Sequence, residues 1–274
     1  MFSSDLVRLT AFVLVLIPVL LWETASPRRR RLYSRVIRWR GNLGILALNA
    51  ATIWILVPST AAGLAFFDAQ HGWGLFNNLS MPAWGAIIAS IIVLDFAIYL
   101  QHVLFHAIPP LWRVHRVHHT DLDFDATTGV RFHPIEILLS TGIKYGVISA
   151  IGAAPLGVLV FEVLLNATSM FNHGNMRIPL ALDRGLRWIV VTPDMHRVHH
   201  SIRVDETNSN FGFNLPWWDH LFGTYRNQPA SGHEAMTIGL EQSLDARELG
   251  FCRMLLHPFR SDQRWYATIR RRTA

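Results

Sequence analysis

Two long stretches with almost no charge constrain the fold more than any other feature of this chain. From Leu6 to Leu21 the only charged residue is Arg8, and from Leu43 to Phe67 there is none. A helix needs about 20 apolar residues to cross the hydrocarbon core of a bilayer, so each stretch is predicted to span a membrane. The alternative for the first stretch is a signal peptide, but no small-residue cleavage site follows its apolar run, so we expect no cleavage there.

Two further apolar stretches follow. The one from Pro82 to Phe105 carries a single charge, Asp95, and is predicted to be a third span. A carboxylate inside a span either has a functional role or pairs helices, and both remain open for Asp95. The stretch 135–171 is broken near Gly152 and Pro155 into halves of about 16 residues. It could therefore be one kinked span or a hairpin of two short helices.

The distribution of charge indicates the orientation of these spans. Seven arginines lie between the first two stretches, whereas the loop 68–81 has no Lys or Arg. They are Arg28, Arg29, Arg30, Arg31, Arg35, Arg38 and Arg40. The positive-inside rule makes the arginine loop cytoplasmic, so the third span returns to the cytoplasm near His102 and His106. The net charge is +6, and basic residues flank the apolar spans. We therefore expect contact with membrane lipids and no nucleic-acid partner.

The 14 histidines form three clusters with helical spacing. These are His102-x-x-x-His106, His115-x-x-His118-His119 and His196-x-x-His199-His200. Positions i, i+3 and i+4 share one face of a helix, so each cluster can direct its imidazoles to one point. Eight imidazoles exceed the four ligands of one zinc site, which implies two metal ions. Imidazole alone leaves zinc, copper, iron and nickel open, and the single cysteine, Cys252, excludes a Cys-based cluster.

The second and third clusters flank the stretch 135–171, and this settles its topology. A single crossing would place them on opposite faces of the membrane, so a shared metal centre requires the hairpin and lies on the cytoplasmic side. His173 follows the hairpin and is predicted to be a ninth ligand. Ligating histidines commonly donate their second N–H to a nearby acceptor. The residues expected to be further ligands or such outer partners are His133, Glu136, Asn175, Asp194 and Asp219.

These motifs resemble the fatty acid hydroxylase and sterol desaturase superfamily of integral-membrane di-iron oxygenases. The matching segments begin with Asp95 to His106, Leu111 to His119 and Arg131 to Glu136. They continue with His173 to Asn175, Thr192 to Ser201, Thr207 to Asn208 and Trp218 to Tyr225. Val103, Ser169 and His220 depart from residues common in the family. The resemblance implies two iron ions, molecular oxygen as co-substrate, and hydroxylation or desaturation of a C–H bond in a lipid.

The implied partners follow from the same resemblance. The lipid substrate could be a sterol, a fatty acyl chain, an ether lipid or a carotenoid. The chain has no G-x-G-x-x-G fingerprint, so electrons would come from a donor protein such as a ferredoxin or cytochrome b5. A basic surface formed by Arg184, Arg187, Arg197 and Arg203 could bind that donor or contact anionic lipid headgroups.

Seven aromatic residues are expected to keep such a site dry: Trp112, Phe124, Phe132, Phe171, Phe213, Trp217 and Trp218. The predicted fold is all-α. It is a multi-pass membrane bundle of about three spans plus a short helical hairpin, with a cytoplasmic helical cap that holds a dimetal site. Three regions are predicted, namely N-terminal spans with a basic loop (1–81), a catalytic domain (82–225) and a C-terminal cytoplasmic tail (226–274). A membrane zinc hydrolase and a metal carrier remain as alternatives.

Overall fold

A computed structural model describes residues 4–241 and 243–260. The end of the predicted C-terminal tail, 261–274, lies outside the described residues. The described part of the chain is helical and contains no β-strand. Its helices are α1 (Ser4–Ala25), α2 (Arg35–Leu56), α3 (Ala61–His71), α4 (Ala83–Ala107), α5 (Pro109–His119), α6 (Pro134–Ile151), α7 (Pro155–Asn172), α8 (Leu180–Leu186), α9 (Pro193–His199), α10 (Val204–Thr207), α11 (Trp217–Leu221), α12 (Gly232–Ala235) and α13 (Phe251–Leu256). Short 3₁₀ turns lie at Phe76–Asn78, Ala126–Val130, Ala246–Leu249 and His257–Phe259.

Five helical segments are long and apolar enough to cross a membrane, as in a multi-pass membrane protein. They are Leu6–Ala25, Arg35–Asn78, Ala83–Ala107, Pro134–Ile151 and Pro155–Asn172. The last two are the helices of the hairpin, and each has 18 residues. At 1.5 Å per residue each is about 27 Å long. The hairpin helices are therefore longer than the short pair predicted from the sequence.

The uncharged stretch from Leu43 to Phe67 is divided between two helices, α2 and α3, within one candidate membrane-spanning segment. The chain leaves the helical conformation between Leu56 and Ala61, where Pro58 has no N–H to donate. The side chain of Thr60 then caps α3 by accepting a hydrogen bond from the Gly63 N–H at 3.0 Å. Apolar composition predicted the location of this segment, but the proline divides it.

The basic segment also differs from a solvated loop. Arg35, Arg38 and Arg40 lie in α2, so the helix begins before the uncharged stretch does. The side chain of Arg38 is fully buried. Only the arginines at 28–31 belong to the connection between α1 and α2.

The hairpin turn contacts the connection between α3 and α4. Gly152 ends α6 with a φ of +63°, a conformation that favours glycine. A Cβ on Gly74 would lie 2.1 Å from the Gly152 nitrogen, so the two backbones approach too closely for any side chain. The Leu75 N–H also donates to the Ala150 carbonyl at 3.1 Å. The hairpin thus extends along α4 to the end of that helix opposite its histidines.

Three charged side chains inside the candidate spans form a cluster of ion pairs. Glu162 of α7 is buried and accepts a hydrogen bond from Lys144 of α6, and Arg8 of α1 lies 3.5 Å from the same carboxylate. Ionisable residues within membrane helices usually pair in this way because an isolated charge is costly there. This cluster therefore joins the three helices α1, α6 and α7.

The helix α4 organises the part of the bundle that carries the histidines. It packs against α5, α6 and α7, with Leu94, Ile98 and Phe161 among the buried residues of the largest apolar cluster. Pro109 and Pro110 begin α5 directly after α4 ends, which forces a sharp change of direction at Ile108. The first two histidine clusters are thereby folded against each other, and the short helices after α7 complete the enclosure.

Candidate metal centre

The structure brings nine of the 14 histidines together in two buried groups. Group A is His102, His106, His115, His119 and His199, and group B is His118, His173, His196 and His200. Within each group, one ring nitrogen from every residue lies within 4.8 Å of all the others. The groups contain the nine residues predicted as ligands. The other five histidines, at positions 71, 133, 220, 233 and 257, belong to neither group.

The repeated H-x-x-H-H pattern divides each cluster between the two groups in a complementary way. In α5, His115 and His119 face group A, whereas His118 faces group B. Around α9 the division is reversed, because His199 joins group A and its two neighbours at positions 196 and 200 join group B. With 3.6 residues per turn, positions i and i+4 lie about 40° apart around the helix, whereas i+3 and i+4 lie about 100° apart and can serve different sites on the same face. Two helices with the same pattern can therefore build two adjacent sites.

The facing nitrogens in each group are the Nε2 atoms. In group A, His102 Nε2 and His119 Nε2 lie 3.1 and 3.2 Å from His115 Nε2. In group B, His118 Nε2 and His196 Nε2 each lie 3.1 Å from His173 Nε2. Buried lone pairs that converge without intervening donors favour a cation between them. The donor set in each group therefore fits a transition-metal ion.

Burial shifts several of the imidazoles towards the neutral form that metal binding requires. Burial lowers the pKa of His173 to about 4. Burial, together with neighbouring His115, lowers the pKa of His199 to about 3. Burial and His200 likewise lower the pKa of His119 well below its usual value. A ligating nitrogen must be unprotonated, so at neutral pH these rings are ready to coordinate.

Most group A rings donate a hydrogen bond from their second nitrogen to a fixed acceptor. The segment 208–211 supplies three of these acceptors: His106 Nδ1 donates to Asn208 Oδ1, His199 Nδ1 to the Ser209 carbonyl at 2.8 Å, and His102 Nδ1 to the Phe211 carbonyl at 2.7 Å. A fourth ring, His115, donates from Nδ1 to Glu136 Oε1 at 2.6 Å. Such contacts fix the tautomer and leave Nε2 free for the ion.

The segment 208–211 is itself held by two side chains. Asp219 accepts hydrogen bonds from the Phe211 and Gly212 N–H groups at 2.8 and 2.9 Å. Asn210 has a φ of +52°, and its amide donates to the Met195 and Arg226 carbonyls. Asn tolerates this left-handed conformation better than most residues. The acceptors for group A are therefore set by side chains that do not themselves contact the histidines.

A buried ionic network fixes the loop after α5, and sequence reasoning missed its basic partner. Arg38 of α2 makes two hydrogen bonds to Asp121, both 2.8 Å, and a third to Asp125. Burial raises the pKa of Asp121, but Arg38 outweighs it, so the carboxyl titrates well below its usual range. The alternation of Asp121, Asp123 and Asp125 was a visible signal of a polar loop. Nothing in the sequence identified Arg38, 83 positions earlier, as its partner.

Only Glu136 among the five expected further ligands or outer partners contacts an imidazole of either group. His133 instead caps α6 by accepting from the Ile135 N–H, so it is not placed as a ligand. Asn175 bonds to the backbone of Arg29, and Asp194 pairs with Arg197 and Arg28. Asp219 supports the acceptor segment described above.

Aromatic rings enclose both groups, but only four of the seven predicted aromatic residues are among them, and Phe171 packs instead in the apolar cluster of Val19 and Met170. Trp112, Phe124, Phe132 and Phe213 contact histidines of the groups, the closest pair being Phe132 and His118 with ring centroids 4.5 Å apart. Phe105 and Phe211 also contact them but were missed. By contrast, Trp217 is exposed, and Trp218 donates to Asp95 Oδ2 at 2.8 Å. That bond gives Asp95 a partner that joins α4 to α11.

The expected basic surface is smaller than predicted. Arg184 and Arg203 are exposed, but Arg187 and Arg197 are buried. Arg187 bonds to Asp183 and Asn227, and Arg197 bonds to Asp194. Both are committed to intramolecular ion pairs because a buried guanidinium needs a counter-charge. They are therefore not available to an external protein.

Comparisons with known proteins agree with this arrangement. The fatty acid hydroxylase family model matches residues 87–224, about half of the chain. The chain is 31% identical over 218 residues to an ornithine lipid hydroxylase of Rhizobium tropici, an alignment that covers 78% of this chain and 61% of the relative. It is 26% identical over 198 residues to an alkylglycerol monooxygenase of Xenopus tropicalis, covering 68% and 42%. It is 27% identical over 165 residues to a cholesterol 25-hydroxylase of Rattus norvegicus, covering 59% and 53%.

The alignments therefore reach less than two thirds of the length of these relatives. No solved structure matches the chain significantly. The matched region nevertheless contains all nine histidines of groups A and B, from His102 to His200. The chain belongs to the fatty acid hydroxylase family, within the fatty acid hydroxylase and sterol desaturase superfamily.

Proposed function

We propose that the protein is a membrane oxygenase that hydroxylates, or desaturates, a C–H bond of a lipid at a di-iron centre held by groups A and B. The observation that carries the proposal is the division of nine buried imidazoles into two adjacent sets of five and four. Relatives with printed activities on ornithine lipid, alkylglycerol and cholesterol support a lipid as the substrate. Two iron ions would supply the activation of molecular oxygen.

The protein itself would hold and shield this centre. The imidazoles of both groups are buried, and the phenyl and indole rings around them exclude water, which protects a reactive centre from side reactions. The acceptors at Glu136 and in the segment 208–211 orient the rings. Because α4, α6 and α7 all reach this centre from candidate spans, an alkyl chain can approach it without leaving the apolar phase.

Orientation and the electron supply are also proposals. We place the centre on the cytoplasmic side, because the arginines at 28–31 flank the end of α1. Two electrons per turnover would come from a separate protein, such as a ferredoxin or cytochrome b5. The exposed residue Arg184 offers positive charge for an acidic donor, whereas Arg203 is exposed but lies 3.3 Å from Asp205.

The test is lipid mass spectrometry of cells that express the intact protein or the variants His118→Ala and His199→Ala. We expect lipids that gain one oxygen atom or lose two hydrogen atoms only with the intact protein. His220→Ala is the matched control, because that exposed ring stacks on Trp188 outside both groups and should leave the products unchanged. Identical lipid profiles in all cells would contradict the proposal. Oxygen-independent activity with zinc alone would favour a hydrolase.

A further inference from the structure

A cleft of about 660 Å³ opens beside the metal centre, between the α1–α2 connection on one side and residues 234–238 with Leu244 on the other. Its lining contains four arginines, Arg28, Arg29, Arg30 and Arg177, and one acidic residue, Glu234. Much of the remaining wall is formed by leucines, Met236 and Ile238. This cleft is distinct from the histidine groups and from the exposed arginines at 184 and 203.

The positive charge of the cleft is not balanced by its own residues. Arg28 is paired with Asp194 and Glu234, at 3.1 and 3.0 Å. Arg29 donates from Nη2 to the Met236 carbonyl at 2.7 Å, but its buried Nη1 has no hydrogen-bond partner among the described residues. Arg30 is exposed at the rim. A buried guanidinium nitrogen without an acceptor is costly, so the cleft favours an anion that would accept from it.

The position of the cleft favours a lipid as the source of that anion. The lining begins at Pro27, two residues after α1 ends at Ala25, so the arginines lie at the level where a span meets the headgroups. Leu32 and Leu244 extend the wall with apolar surface that a free anion would not use. Arginines beside apolar side chains are suited to an amphiphile with a negative end.

A single aromatic ring separates the cleft wall from group B. Phe124 packs in one apolar cluster with Met236 and Ile238 of the cleft. On its other side, the Phe124 ring centroid lies 5.5 Å from that of His173 and 5.2 Å from that of His200. The cleft segment is also tied to the third histidine cluster, since Ile238 pairs with Ser201 in a β-bridge. A lipid anchored in the cleft is therefore held next to the metal centre.

We propose that this arginine cleft binds the anionic headgroup, a phosphate or carboxylate, of the lipid substrate. The substrate role rests on the proposed oxygenase function, whereas binding of the anion does not. The cleft thereby selects lipids with a negative headgroup over neutral lipids of the same chain length.

Binding is tested by native mass spectrometry titrations of the purified full chain in maltoside detergent. The probes are hexadecyl phosphate, hexadecyl maltoside as the uncharged amphiphile, and inorganic phosphate. We expect hexadecyl phosphate to bind most tightly, and Arg29→Gln and Arg30→Gln each to weaken it by about ten- to hundredfold. Arg30 is exposed, so its variant keeps the packing of the cleft intact. Arg253→Gln removes an exposed charge outside the cleft and should have no effect.

Several outcomes would overturn the inference. Equal weakening by Arg253→Gln would show only a general effect of positive charge, and equal affinity for inorganic phosphate would identify a free anion as the ligand. In cells, Arg30→Gln should lower the oxidation of anionic lipids by about tenfold relative to neutral ones. Lipid oxidation without probe binding would overturn this inference alone. Probe binding without any lipid oxidation would overturn the proposed function and the substrate role, leaving an anion site.

Discussion

Groups A and B are adjacent and chemically similar, yet they differ in how firmly their rings are held. Four of the five rings in group A donate from Nδ1 to an acceptor, at Glu136 or within the segment 208–211. In group B only His173 does so, to the Ser169 carbonyl at 2.7 Å. The Nδ1 atoms of His118, His196 and His200 have no hydrogen-bond partner among the described residues.

This difference indicates that the rings around the two ions would be oriented in different ways. Outer hydrogen bonds fix the tautomer and direction of a ring before the ion arrives, so group A is preorganised. In group B the ring directions depend more on packing against Phe124 and Phe132. We therefore expect group A to bind its ion more tightly and group B to respond more to changes nearby.

The largest expected effects come from removing one ring of each group. Both His199→Ala and His200→Ala should lower lipid oxidation by more than about a hundredfold, since even loss of an outer partner costs 10–100-fold. Their metal contents should differ, because His199→Ala leaves four rings in group A and His200→Ala leaves three in group B. Four ligands complete a tetrahedral site. Elemental analysis should find about two ions per chain in the first variant and about one in the second. Equal losses would remove the proposed difference.

Replacement of the acidic partner in group A should have the next largest effect. Glu136→Gln keeps an oxygen near His115 Nδ1 but removes the negative charge that strengthens this hydrogen bond. Metal affinity should fall by about 10–100-fold at one of the two sites and stay constant at the other. Metal titration of the purified apoprotein measures this. Glu241→Gln, at an exposed position, is the control, and weakening of both sites alike would argue against separate groups.

Removal of metal from the unmodified protein should show the same difference between the two groups, as a smaller effect on the rates at which the two ions leave. During dialysis against a chelator, we expect one ion to leave about tenfold faster than the other, because outer hydrogen bonds contribute at least that factor to affinity. Elemental analysis at successive times should then show two phases of one ion each. The slow phase should disappear in Glu136→Gln. A single phase for both ions in the unmodified protein would contradict the comparison.

The sequence predicted the membership of the groups far better than their internal organisation. Helical spacing identified eight of the nine histidines, and its position after the hairpin identified His173 as the ninth. It could not indicate that each H-x-x-H-H cluster serves both groups, since this depends on how α5 and α9 are rotated against each other. The same limit hid Arg38, whose contact with Asp121 requires α2 to pack beside the loop after α5.

Hydropathy likewise predicted only part of the fold. It located the apolar segments, but the break at Pro58 and the full length of the hairpin helices became apparent only in the structure. The ion pair between Lys144 of α6 and Glu162 of α7 likewise became apparent only in the structure. Long-range pairing is therefore the information that composition and periodicity leave out.

The smallest expected effects come from side chains that lie behind the hydrogen-bond acceptors of the two groups. Asp219→Asn removes a carboxylate that accepts from two backbone N–H groups of the segment holding group A, so it should lower the free energy of unfolding by about 1–3 kcal/mol. Ser169→Ala keeps the carbonyl that accepts from His173 and loses only the hydroxyl bond to Gly129, which should cost about 1 kcal/mol. Denaturant unfolding of the purified protein in detergent measures both, with Asp205→Asn as an exposed control.

Metal titration of the same two variants separates support from general stability. Asp219→Asn should weaken one metal site, because the acceptor carbonyls of Ser209 and Phe211 lose their fixed position. Ser169→Ala should leave both sites unchanged, because the backbone acceptor in α7 is held by the helix itself. If Ser169→Ala weakened metal binding as much as Asp219→Asn, group B would depend on side-chain support to the same degree as group A, and the proposed difference in preorganisation would fail.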